Sequence, residues 1–480
     1  MSASSVFNLD TAERVLLCPT CLTANALGTN RCNSCIRELS DLSPVPAQVA
    51  REVLVERKKR RQRRFRMRLG AVALVLIGLG LWQTAEYYGF VRFISAPASQ
   101  VSAAPTDGSS TDWPMFQRDP LHSGYHPAGG LIPTGEVIWS FDMGTKVPNS
   151  PAVVDGIVYL SAGLRGVVAL DAETGNLLWQ YGVAGTIETA VAVAGDKVFA
   201  GLRDGRIVAL DRQTGEQEWS VQTGNKIFSS PAVLDGIVYV GSGDGFLYVI
   251  DAETGGVRWK YHAGDSIIAS PAVSADVLAF TAQDRKLYVV ETHSGKLRFD
   301  YRLDFVGGSP SIRGDRLYIG DNAGILRSID WQQRTLPLEK ALVKLKFYGW
   351  WYGLTSDLQN QKGFVWGFSP PGGSPMGTAV ATDELVYVPA TVGRLYAVDT
   401  LTGDEVWSFR TAGRLSGSPA VIGGMVVLGD EQGRLYGLNG TTGELLWEIR
   451  GLGGSVVSTP VVAGDTIYVS TEEGRLLAIR

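Results

Sequence analysis

From residue 136 to the end of the chain, apolar runs of four to six residues alternate with turns that carry Gly or Asp. One period reads SPAVVDG-IVYLSAG-LRGVVALD-AETGN-LLWQY (150–181). Its four runs are rich in Val, Ile, Leu, Tyr and Trp and too short for helices, so each period predicts four β-strands joined by hairpins. In the turn AETGN, Asp171 is placed to accept backbone hydrogen bonds and Gly175 to supply a positive φ.

The period recurs about every 40 residues. An acidic or amide marker falls at Asp171, Asp211, Asp251, Glu291, Asp330, Asp399 and Asn439. An aromatic marker falls at Trp139, Trp179, Trp219, Trp259, Phe299, Trp366, Trp407 and Trp447. A Ser-Pro-Ala-Val run or a variant of it begins near 150, 189, 230, 270, 309, 377, 418 and 459. Four-stranded units of this length must cover both faces of each sheet with their neighbours, which predicts an all-β fold, a β-propeller. The last unit stops after three strands, and Glu136–Phe141 carries a tryptophan without three strands before it. The N-terminal strand is therefore expected to complete the C-terminal blade and close an eight-bladed ring.

The first hundred residues differ. All four cysteines lie there, as Cys18-Pro-Thr-Cys21 and Cys32-Asn-Ser-Cys35. Two C-x2-C pairs predict a tetrahedral thiolate shell for a structural Zn²⁺ in a short zinc ribbon. Residues 57–68 (RKKRRQRRFRMR) hold nine basic residues and no acidic one, although the whole chain is at −4. The rest of the chain is thus acidic, which argues against nucleic acid as the propeller's partner. LGAVALVLIGLGLW (69–82) and the residues after it, with Trp82, Tyr87 and Tyr88 as an aromatic belt, predict a signal-anchor helix. A cleaved leader ending near Ala98 is the alternative. The basic collar would keep the ribbon cytoplasmic and place the propeller outside, as a single-pass membrane protein. The expected organisation is a ribbon (1–45), collar (46–68), anchor (69–92), small-residue linker (93–112) and propeller (113–480).

The phrase from Ala169 to Trp179, A-x-D-x-x-T-G-x-x-x-W, resembles the tryptophan-docking motif of the PQQ-repeat (quinoprotein-like) propellers. The lead-in WPMFQRDPLHSGYHP (113–127) resembles the way those domains open. The resemblance implies one of two functions. One branch holds PQQ- and Ca²⁺-dependent alcohol and sugar dehydrogenases. The other holds non-catalytic scaffolds, including the propeller lipoprotein of the outer-membrane barrel-assembly machine.

Several features weigh against PQQ chemistry. The propeller lacks the adjacent-cysteine disulfide of many such enzymes and has no C-x-x-C-H haem motif. Its carboxylates, such as Asp155, Asp196, Asp235, Asp244, Asp276, Asp315, Asp383 and Asp465, fall in inter-strand turns. His122, His126, His262 and His293 form no ligand-spaced cluster. No catalytic residue is assigned.

One unit departs from the rest. Between Asp330 and Trp366 an insert spans 331–363, with a basic stretch LEKALVKLKF and the aromatics Phe347, Tyr348, Trp350, Trp351 and Tyr352. These aromatics are either a self-buried plug or a patch that contacts a partner or a membrane surface, the expected partner being an extracytoplasmic protein or extended ligand. The expected function is a non-catalytic interaction scaffold or ligand-binding module. The alternatives are a PQQ dehydrogenase and a cytoplasmic zinc-ribbon regulator.

Overall fold

The structure is a computed structural model. It describes residues 12–56 except 21 and 35–37, residue 59, and residues 112–480 except 127–131, 145–148, 336–338, 340–351, 353–360, 372, 374 and 376. The chain divides into two compact units, Met1–Ala98 and Ser99–Arg480.

In the first unit, Arg14–Leu17 pairs antiparallel with Ala24–Asn25 on one side and Val45–Pro46 on the other. Leu16, Cys18, Cys32 and Leu39 form one small core. Ala47 and Ala50, from a helical stretch at 47–56, pack with Val15 in another.

The expected single-pass topology, with a cytoplasmic ribbon and an extracytoplasmic propeller, is corrected here. Among the described residues no helix is long and apolar enough to cross a membrane. The stretch at 47–56 carries Arg51, Glu52 and Glu56, and it falls well short of the roughly 20 apolar residues that a span requires. The expected anchor at 69–92 lies outside the described residues.

The second unit is a β-propeller. Its described residues form eight four-stranded antiparallel sheets, seven of them from consecutive strands, and one of these gains a fifth, parallel strand. Sheet one is Ala152–Val154, Ile157–Ser161, Val167–Asp171 and Leu177–Tyr181. Sheets two to seven follow along the chain at 192–222, 232–262, 272–302, 311–368, 380–410 and 420–449. Sheet eight takes Val461–Ala463, Thr466–Ser470 and Arg475–Ile479 from the C-terminus. Its outer strand is Val137–Asp142, with Trp139 opposite Ala478. The expected closure by the N-terminal strand is therefore present.

The recurring phrase is a joint between sheets. Asp171 Oδ1 accepts the Thr174 amide at 2.8 Å and the Thr174 hydroxyl at 2.7 Å, which fixes the turn. Gly175 in that turn has φ +72° and faces the Trp139 ring. Trp139 Nε1 donates to Ala172 O at 2.9 Å. The same bond runs from Trp219 to Ala252 O (2.9 Å) and from Trp407 to Gly440 O (2.8 Å). In every sheet a register shift interrupts the pairing of the third and fourth strands, as between Ala169 and Leu170. One extra residue just before each aromatic turns the ring toward the next sheet. Trp447 departs from this pattern, and its Nε1 meets Met425 Sδ of its own sheet. Its neighbour is the sheet assembled from both chain ends, which has no such turn.

Candidate functional site

The first strand of each sheet is an inner edge, and unpaired edge amides need partners. Residues 113–126 supply them. Trp113 exchanges two backbone bonds of 2.8 Å with Val153 of sheet one. Carbonyls of Pro114, Pro120, Leu121 and Gly124 accept the amides of Val193, Val273, Ile312 and Val421, from sheets two, four, five and seven, at 2.6–2.9 Å. Tyr125–His126 then adds a parallel strand to Ala420–Ile422. Gln117 Nε2 reaches Thr459 Oγ1 of sheet eight at 3.1 Å. Met115 packs with Val233 of sheet three, and Gly124 lies against Val380 of sheet six. One segment thus bonds or packs to the inner strand of seven sheets and to the lead-in of the eighth, and fills the middle of the ring.

That segment is strained and buried. Gln117, Arg118 and His122 hold φ of +55°, +74° and +57°, conformations that non-glycine residues adopt only under tight constraint. His122 is 1% exposed, with Nδ1 2.8 Å from Pro310 O, and burial pulls it down to about 4. Since a carbonyl can only accept, Nδ1 carries the proton of the neutral ring. Burial raises Asp119, partly offset by hydrogen bonds from Ser123 and Leu121.

At the end of the axis formed by the sheet-to-sheet loops lies a pocket of about 340 Å³. Phe116 of the axial segment, Glu188 and the hydroxyls of Ser150, Ser230, Ser309 and Ser418 are among the residues lining it. These serines belong to the recurring Ser-Pro-Ala-Val phrase, and each accepts an amide from the preceding sheet or its lead-in. The donors are Thr459, Ala190, Ser270 and Thr378, at 3.1, 3.0, 3.0 and 2.7 Å. Glu188 is ion-paired to Arg203.

This donor set does not fit the quinone cofactor of the dehydrogenase branch. A tricarboxylate quinone with Ca²⁺ calls for cations and several carboxylate or amide oxygens. The lining offers hydroxyls, backbone, Asn149 and one carboxylate already held by an arginine. Among the described residues no group of three His, Cys, Asp or Glu is placed to hold a metal.

The residues singled out from the sequence are dispersed. Cys18 and Cys32 are buried in the first unit, and the Cys32 sulfur accepts the Ser34 amide at 3.4 Å and Asn25 Nδ2 at 3.7 Å. Cys21 and Cys35 lie outside the described residues, as do Phe347, Tyr348, Trp350 and Trp351. Tyr352 is 73% exposed. The insert begins on sheet four, where Thr335 N donates to Arg298 O at 2.8 Å and Arg334 pairs with Glu291 at 2.8 Å. It leaves the propeller at the turn between third and fourth strands, the opposite strand end from the axial pocket. The expected turn carboxylates are turn formers. Asp244 does more: it also accepts the Tyr248 hydroxyl and the Gly224 amide, both at 2.7 Å, tying a sheet to the loop before it. The axial segment and the serine belt went unseen in the sequence. The serine phrase was the visible signal, and its function was not.

A family model described as "Outer membrane protein assembly factor BamB" matches residues 130–229, 203–336 and 356–480. Among solved structures, BamB from Moraxella catarrhalis is 19% identical over 72% of this chain and 97% of its own, with a TM-score of 0.55. A quinohemoprotein alcohol dehydrogenase from Comamonas testosteroni is 18% identical over 79% and 81%, with a TM-score of 0.61. A europium-containing methanol dehydrogenase is 16% identical over 76% and 90%, with a TM-score of 0.60. At these identities the likeness is one of fold. No curated protein matches the chain.

Proposed function

The chain belongs to the family described as "Outer membrane protein assembly factor BamB", and from that premise we propose that its propeller is an eight-bladed, non-catalytic scaffold that binds a protein partner. One observation carries this reading: the middle of the ring is filled by the chain's own residues 113–126, bound to its inner strands. The surfaces left for a partner are the rims and the outer wall. The axial pocket lacks the donor set of a quinone enzyme.

The insert at 331–363 is the proposed dock, with Phe347, Tyr348, Trp350, Trp351 and Tyr352 as anchors. Aromatic clusters supply much of the energy at protein interfaces, and Tyr352 is exposed. The test is crosslinking capture with the full chain and with a version whose residues 332–362 are replaced by a short turn. A partner held by the first and lost from the second supports the reading, provided both melt alike. Identical captures overturn the insert as the dock.

In the first unit, Cys18, Cys21, Cys32 and Cys35 are proposed to hold one structural Zn²⁺. The amide-to-sulfur bonds at Cys32 support this, because they stabilise a thiolate. Zinc there would supply cross-linking and no chemistry.

A further inference from the structure

The axial pocket has an arrangement of donors that the scaffold reading leaves without a use. The hydroxyls of Ser150, Ser230, Ser309 and Ser418 each accept one amide hydrogen. Among the described residues, none of the four donates its own proton to a protein acceptor. A hydroxyl whose oxygen already accepts is polarised toward donating. Three of them, Ser150, Ser230 and Ser418, are 7%, 7% and 4% exposed, so bulk water does not easily absorb the unused capacity. Asn149 also lines the pocket, and its buried Nδ2 has no hydrogen-bond partner among the described residues. Buried polar groups left unmatched are costly, and such a set calls for a ligand or bound water.

The remaining lining narrows the ligand. Glu188 is the one carboxylate, and it keeps acceptor capacity beside its Arg203 pair. Arg203 is held by Glu188, and among the described residues no lysine or arginine lines the pocket to bind a phosphate or a free carboxylate. Phe116 adds an aromatic surface, its ring set at 5.1 Å and 85° to the buried His122. Donors around a rim, one acceptor and an aromatic face match a molecule whose oxygens both donate and accept and whose carbon skeleton has an apolar side. A volume of about 340 Å³ is at the small end of ligand sites.

We propose that the axial pocket binds a neutral polyhydroxylated ligand, a sugar ring, with the serine belt donating, Glu188 accepting and Phe116 beneath the ring. Nothing covalent occurs. This site lies at the strand end opposite the one from which the insert departs, so this proposal and the scaffold reading can fail independently.

The test uses the full chain with D-glucose, N-acetyl-D-glucosamine and maltose as probes and inorganic phosphate as the comparison. Saturation-transfer NMR and titration calorimetry report binding. At least one sugar is expected to bind saturably and phosphate not at all. Phe116→Ala and Glu188→Gln are each expected to weaken the sugar by about tenfold or more, the scale of one lost contact in a desolvated site. Glu188 is a third exposed, so Glu188→Gln keeps the test valid if Phe116→Ala disturbs the fold. Three outcomes overturn the proposal: no saturable sugar signal, binding indifferent to Glu188→Gln, or phosphate binding in place of sugar.

Discussion

Trp179 and Gly215, 36 positions apart in sequence, are pressed face to face across a sheet boundary. A Cβ on Gly215 would stand 2.5 Å from the indole, and the glycine holds φ +73°. The indole is kept there by its bond to Arg212 O at 2.9 Å. Gly215→Ala therefore meets both backbone strain and a clash, and is expected to cost about 2–4 kcal/mol. Gly195 has φ +60° with nothing near a new Cβ, so Gly195→Ala should cost only about 1–2 kcal/mol. Urea unfolding of the two variants checks the difference. Equal losses would mean that the indole contact contributes nothing.

The axial segment should be indispensable to the ring. A chain beginning at residue 99 keeps it, whereas one beginning at residue 130 loses Trp113, which is fully buried, and the acceptors for the inner-strand amides. The shorter chain is expected to be less stable by roughly 5 kcal/mol or more, or to aggregate through its inner edges. Thermal melting with light scattering distinguishes these outcomes from an unchanged ring.

Acid should weaken the ring in two steps. His122 has its folded value lowered from 6.5 to about 4, so the unfolded chain takes up a proton before the folded one. Its contribution is full above pH 6.5 and is lost as pH falls toward 4, up to about 3 kcal/mol for so buried a group. Asp251 is lowered from 3.8 to about 2 by Arg258 and then Thr254, and its contribution is lost only as pH falls through that lower window. His122→Gln should flatten the stability profile between pH 6.5 and 4 and leave the lower fall intact. A profile unchanged by the substitution would remove His122 from the explanation.

Zinc should follow the cysteines. The purified full chain is expected to contain about one zinc per chain by elemental analysis, and Cys32→Ser to lose most of it, because a tetrahedral site loses a quarter of its shell. Propeller melting should be insensitive to a chelator. A zinc-free wild-type chain purified without chelator would dismiss the site.

The fold was readable because the joint is remade at nearly every sheet: an aromatic, usually Trp, recurs with a turn carrying Asp or a stand-in for it. The pairing of Val137–Asp142 with Arg475–Ile479 was readable for the same reason, as a fourth strand missing at one end and spare at the other. Residues 113–126 occur once and have no period. Their partners lie from 40 to more than 300 positions away, and they bond chiefly through carbonyls, which every residue type possesses. The serine belt was visible as a spelling and silent as a structure, because the role of Ser230 depends on an amide at Ala190 in another sheet. The membrane expectation rested on hydropathy at 69–92, and no described helix meets it.

The strand Val137–Asp142 has a consequence for how the molecule is made. It leaves the ribosome more than 300 residues before its partner Arg475–Ile479. Until then the nascent chain carries an unmatched strand at one end and an unfinished sheet at the other. The ring can close only once Arg475–Ile479 has been made. A message truncated before those codons would yield a product that announces its own incompleteness, with bare edges at both ends for quality control to find.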